Sequence, residues 1–138
     1  MHIFTYGTLM VTDVFRTVTG KTYQKQKAVL EGYSRFRLAG KHYPGIVKTA
    51  DDRVEGIVYL NITENDMAKL DEFEGDLYAR EEVAVKLENG GRINATAYIV
   101  KKGHENCLSN EPWNLDEFII HHLNDFLEND PGFLNRSR

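Results

Sequence analysis

A chain of 138 residues that is 28% charged and 41% hydrophobic has the size of one globular domain with a single core, and is too short for two. Seventeen Lys plus Arg against twenty-one Asp plus Glu leave a formal net charge of −4, which gives no electrostatic reason to bind a nucleic-acid backbone or an anionic membrane surface. The one cysteine, Cys107, excludes an internal disulfide and a four-thiolate zinc site.

The opening Met1-His2-Ile3-Phe4-Thr5-Tyr6 lacks the basic and long apolar regions of a signal peptide. Nothing downstream approaches the roughly 20 apolar residues of a membrane span, so a cytoplasmic setting is expected. Ile3 to Tyr6 is a short apolar run stopped by Gly7, which predicts a buried first strand. Thr12 to Thr19 reads as a short helix. From Lys25 to Leu38 the apolar residues Ala28, Leu30, Phe36 and Leu38 are spaced by even numbers around Gly32, as in a long strand bent at a bulge. Tyr43-Pro44-Gly45 reads as a turn or an edge. Ile46 to Lys48 and Val54 to Leu60 predict a pair of strands around an Ala50-Asp51-Asp52-Arg53 turn.

Thr63 is a good helix N-cap, with Asp66 three residues on and Met67, Leu70 and Phe73 at helical spacing before a C-capping Gly75. Glu82 to Leu87 and Ile93 to Val100 flank Asn89-Gly90-Gly91, where an Asn-Gly pair suits the two φ > 0 positions of a tight hairpin turn. A last helix is expected after Asn114, carrying Leu115, Phe118, Ile119, Leu123, Phe126 and Leu127 until Pro131-Gly132 stops it. Six strands with two or three helices predict a single α+β domain with a bent, barrel-like, mainly antiparallel sheet.

Two places are chemically unusual. At Tyr6-Gly7-Thr8-Leu9, a glycine at a strand end lets the backbone turn so that N–H groups converge on an anion or a carbonyl oxygen. The same residues fit an ordinary turn. The second place is Glu74, which at about 100° per residue shares the helix stripe of Met67 and Leu70, while Glu72 points nearly the opposite way. If the helix reaches it, this carboxylate sits on an apolar face at the negative end of the helix dipole, among Asp71, Glu72 and Asp76. Each influence favours the protonated form, which suits a general base. If the helix ends a residue earlier, Glu74 bonds Arg80 at the surface instead.

Tyr6-Gly7-Thr8-Leu9, Gly32-Tyr33, Tyr43-Pro44-Gly45, Val54-Glu55-Gly56 and Leu70-Asp71-x-Phe73-Glu74-Gly75-x-x-Tyr78-x-Arg80 together resemble the gamma-glutamylcyclotransferase-like family, in order and spacing, over roughly residues 2 to 100. The resemblance implies a compact barrel-like α+β fold. It also implies conversion of a γ-glutamyl amide or amine to 5-oxoproline with release of the amine. It assigns the glutamyl-binding turn to Tyr6, Gly7, Thr8 and Leu9, and the general acid/base to Glu74. The short Tyr-Gly-Thr-Leu form is more similar to the branch acting on γ-glutamyl amines, with its avirulence-induced plant relatives, than to the Tyr-Gly-Ser-Asn-Leu branch.

Such chemistry needs little from the protein, because the substrate's own α-amine attacks its γ-carbonyl. No Ser or Cys nucleophile, metal or redox cofactor has a task, and the expected partner is one small γ-glutamyl molecule. Tyr78 either lines the pocket or packs in the core, and Tyr33, Tyr43, Tyr59 and Tyr98 carry the same two readings. Arg80 either clamps a substrate carboxylate or pairs with Asp76, Glu81 or Glu82. A non-catalytic module binding a glutamyl-like ligand in the same pocket is the alternative function. His121 and His122 lack the i, i+4 spacing of two metal ligands on one helix face. Residues 101–138 carry no family motif; they can cap the pocket, dock a second subunit or complete the core, and a monomer and a homodimer fit equally.

Overall fold

The computed structural model describes residues 1–129. Six strands run in the order β1 (Ile3–Thr5), β2 (Lys25–Leu38), β3 (Pro44–Tyr59), β4 (Tyr78–Leu87), β5 (Arg92–Val100) and β6 (Leu108–Pro112). The helices are α1 (Thr12–Thr19), α2 (Glu64–Glu74), α3 (Leu115–His121) and α4 (Leu123–Asn129). The sheet order is β3-β1-β5-β4-β2-β6, and a further β3–β2 pairing closes the first five strands into a barrel with β6 outside it. All ladders are antiparallel except β1 with β5.

Alternation along the strands divides the interior in two. Phe4, Ala28, Leu30, Val54, Val58, Val83, Val85, Ala95 and Ala97 form a core contributed by all five barrel strands. Ile3, Tyr59, Tyr98 and Val100 face the other way, into a core shared with Val14 and Phe15 of α1, Met67 and Leu70 of α2, Phe118 of α3 and Phe126 of α4. β1 is therefore buried on both faces, which is why its sequence is a continuous apolar run rather than an alternating one.

The long strand over Lys25–Leu38 carries its bulge at Gly32, with φ +85°. Its partner corrects an expectation. Ile46–Lys48 and Val54–Leu60 are not two strands paired around a turn, but parts of the single strand β3, both paired with β2. The register passes from Glu31↔Arg53 to Tyr33↔Lys48, so residues 49–52 bulge out opposite Gly32. Asp51 takes φ +64° within that bulge, a conformation Asp tolerates better than most residues. β6 was not expected; with β3 counted once, the total of six strands still stands.

The hairpin between β4 and β5 is present, with a different turn. Only Gly90, at φ +91°, has positive φ there, and Asn89 does not. Gly90 N–H donates to Leu87 O at 2.9 Å and Leu87 N–H to Gly91 O at 2.7 Å, the pattern of a three-residue loop with a glycine bulge. The last helical stretch breaks at His122, with φ −130°, into α3 and α4. There His122 stacks on His42 with ring centroids 3.8 Å apart. Among the described residues, 101–129 complete the core through Trp113, Phe118 and Phe126. The expected Pro131-Gly132 stop lies outside the described residues.

Candidate active site

A cavity of about 90 Å³ sits where the two cores meet. Phe4, Thr5, Tyr6, Gly7, Thr8 and Leu9 line it from the first strand and the turn after it. Tyr43, Pro44, Phe73, Glu74, Tyr78, Tyr98 and Phe126 close it from the opposite elements. Tyr6, Gly7, Thr8, Leu9, Glu74 and Tyr78 are thus brought together, and Arg80 is not among the lining residues.

The 6–9 turn is built to offer donors. Its carbonyls are all taken: Arg35 Nη1 donates to Tyr6 O at 2.8 Å and Tyr59 Oη to Leu9 O at 2.9 Å. Gly7 O and Thr8 O accept from Met10 N–H at 2.9 Å and Val11 N–H at 3.1 Å. The N–H groups of Thr8 and Leu9 and the Thr8 hydroxyl find no hydrogen-bond partner among the described residues. A turn with satisfied carbonyls and open N–H groups presents positive potential to a ligand oxygen. Arg35 also donates to Glu55 O at 3.0 Å and lies 5.3 Å from the Trp113 ring.

Helix α2 runs to Glu74. Thr63 Oγ1 caps its start by accepting from Asp66 N–H at 3.1 Å, and Gly75, at φ +81°, ends it. Met67 and Leu70 are buried, so the same stripe carries Glu74 to the cavity. Glu74 is partly exposed; its carboxyl takes no hydrogen bond from the described residues, and the protein packed around it strips away much of its hydration. Burial first, and the charge of Asp71 second, push it up from the ordinary 4.5 to about 8.

The phenols around it are held rather than free. Tyr6 Oη donates to Tyr98 O, Tyr78 Oη to Pro44 O at 2.7 Å, and Tyr98 Oη to Asp71 Oδ1 at 2.6 Å. Burial raises all three above the usual tyrosine range, with the charge of Glu74 acting in the same direction. They stay neutral, each spending its proton on the wall and keeping oxygen lone pairs for a ligand.

Arg80 pairs with none of the acids expected for it. Its Nε donates to Asp71 Oδ1 at 2.7 Å and its Nη2 to Asp71 Oδ2. The motif residues Tyr78 and Arg80 therefore build the site, one by holding Pro44 and the other by holding Asp71. Asp66, read in the sequence only as part of the capping pattern, is fully buried. It accepts from Tyr23 Oη and pairs with Lys21 and Lys69 at 3.2 Å each. Tyr43 and Tyr98, each of which fits a pocket wall or the core by sequence, line the cavity, whereas Tyr33 and Tyr59 do not; Phe73 and Phe126 are lining residues that spacing alone does not single out. Phe73 lies inside the Leu70–Arg80 family motif, whereas Phe126 is indistinguishable by sequence from ordinary helix core.

The fold has known counterparts. A solved gamma-glutamyl cyclotransferase superposes with a TM-score of 0.64 at 21% identity, over 73% of this chain and 66% of that one. A solution structure from Arabidopsis thaliana superposes with a TM-score of 0.72 at 30% identity, over 92% of this chain and 85% of that one. AIG2-like protein D of Arabidopsis thaliana is 34% identical over 131 residues, covering 93% of this chain and 86% of that protein. The family model described as "Gamma-glutamyl cyclotransferase, AIG2-like" matches residues 3–115. The chain belongs to this AIG2-like gamma-glutamyl cyclotransferase family. Among the described residues no helix is long and apolar enough to cross a membrane.

Proposed function

We propose that this protein is a cyclotransferase that converts a γ-glutamyl amide or amine to 5-oxoproline and the free amine, with Glu74 as general acid/base. The observation that carries the reading is one carboxyl poised near pH 8, sharing a small cavity with the open N–H groups of Thr8 and Leu9. In its carboxylate form Glu74 takes a proton from the substrate's α-amino nitrogen as that nitrogen attacks the γ-carbonyl. The new N–C bond closes the five-membered ring. The same proton passes to the amide nitrogen as the old C–N bond breaks, so atoms and charge balance within one turnover.

The cavity's other contribution is to fold the flexible glutamyl chain into the attacking conformer. Preorganisation of this kind is worth on the order of 7 kcal/mol or more, and proton transfer by a placed carboxyl roughly 10²- to 10⁴-fold. The Thr8 and Leu9 N–H groups bind a substrate oxygen, either the α-carboxylate or the oxyanion that develops on the γ-carbonyl. Aromatic walls from Phe73, Tyr78, Tyr98 and Phe126 flank the ring closure.

A panel of γ-glutamyl amides and amines, assayed for 5-oxoproline by mass spectrometry, tests the reading. Release of 5-oxoproline from at least one member is expected. Silence across the panel, with 5-oxoproline still binding and shifting Gly7 and Thr8 NMR signals, contradicts catalysis and supports the non-catalytic binding module instead.

A further inference from the structure

Asp71 lies three residues before Glu74 on α2, and its carboxylate spans two strands of the barrel wall. Arg80 of β4 and Tyr98 of β5 are directly paired in register, and both donate to it, Arg80 through both arms of its guanidinium. The Asp71 carbonyl also accepts the Gly75 N–H at 3.0 Å, closing the helix just past Glu74. From Tyr98 the connection reaches the cavity again, since its carbonyl accepts from Tyr6 Oη.

We propose that Asp71 is a positioning residue for Glu74: with Arg80 and Tyr98 it ties the last turn of α2 to the barrel wall and keeps a fixed negative charge beside the Glu74 carboxyl. This rests on the proposed role of Glu74. Burial alone would raise the Asp71 carboxyl, but its bonds to Arg80 and Tyr98 outweigh that and hold it below the ordinary range, so it stays ionised. The charge of Asp71 favours the proton on Glu74. The other titratable groups lining the cavity are phenols: Tyr6 at the end of β1, Tyr43 before β3, Tyr78 on β4 and Tyr98 on β5. Helix α4, which brings Phe126 to the cavity, carries Asp125 and Glu128.

The test is a carbon-13 NMR titration of the Glu74 carboxyl in the parent, Asp71→Asn and Arg80→Gln, which needs no substrate. Removing the Asp71 charge is expected to move the midpoint down by about one pH unit. Removing the Arg80 cation leaves Asp71 uncompensated and is expected to move it up. Arg80→Lys, which keeps the cation, restores it toward the parent. On a working substrate the acidic limb of kcat/KM shifts in the same directions. Should Asp71→Asn fail to fold, the opposed behaviour of Arg80→Gln and Arg80→Lys carries the test. Midpoints that stay fixed, or that move the same way in Asp71→Asn and Arg80→Gln, overturn the proposal. Shifts of the expected signs in a protein that turns over no γ-glutamyl compound uphold the coupling and contradict only the proposed reaction.

Discussion

Gly7 and Pro44 are in contact across the cavity wall: a Cβ built on Gly7 would lie 2.8 Å from Pro44 Cδ and 2.9 Å from its Cγ. The φ of Gly7 is −133°, outside the left-handed region, and the ring of Pro44 leaves no room for a side chain here. Gly7→Ala therefore has to push Pro44 and the 6–9 turn apart. Overpacking of this size costs about 1–3 kcal/mol, and a displacement near 1 Å at a reacting centre about 10²-fold in rate. The expected outcome is a folded variant with a lower melting temperature and about a hundredfold loss of 5-oxoproline release, checked by thermal denaturation beside the activity assay.

Tyr78 holds Pro44 from the other side through its 2.7 Å bond to the Pro44 carbonyl. Tyr78→Phe leaves that buried carbonyl without its donor, at a cost of about 1–3 kcal/mol. Because Pro44 supports Gly7, turnover falls as well while Glu74 keeps its place. Urea denaturation reads the stability loss. An activity loss in a variant as stable as the parent would mean that Tyr78 touches the substrate through its hydroxyl instead.

Glu74 makes stability depend on pH in the sense opposite to a paired surface acid. Its carboxyl keeps a proton in the folded state up to about pH 8, whereas in the unfolded chain it titrates near 4.5. Between those values the folded state binds more protons, so stability falls as pH rises through the window. Glu74→Gln removes that penalty. The variant is expected to match the parent below about pH 4.5 and to exceed it at and above pH 8, by on the order of 2 to 4 kcal/mol after discounting for the residue's partial exposure. Melting temperatures across that range check it; equal curves would show that the carboxyl is hydrated.

How far the sequence could be read follows from how local each signal is. The bulge at Gly32, the Thr63 cap and the Gly75 stop are short-range chemistry and appear where expected. So does the stripe that takes Glu74 inward, because helical phase is set by residues a turn apart. The single strand β3 resembles two strands in sequence because Asp51 and Asp52 look like a turn, and only the pairing of both flanks with β2 turns them into a bulge. β6 has no apolar alternation of its own; its place depends on the edge of β2. The break at His122 has no Gly or Pro to announce it and coincides with a stack on His42, eighty residues earlier in the chain. Arg80 finding Asp71 rather than its sequence neighbours, and Phe126 reaching the cavity, are likewise products of the closed barrel.

The most direct measurement is 5-oxoproline release by the parent and by Glu74→Gln, side by side, on the best substrate from the γ-glutamyl panel. Circular dichroism and 5-oxoproline binding serve as controls for fold and pocket. The account predicts that the variant folds, still binds 5-oxoproline and loses at least about 10²-fold in turnover. Equal turnover by the two proteins would contradict the assignment of Glu74 as the acid/base.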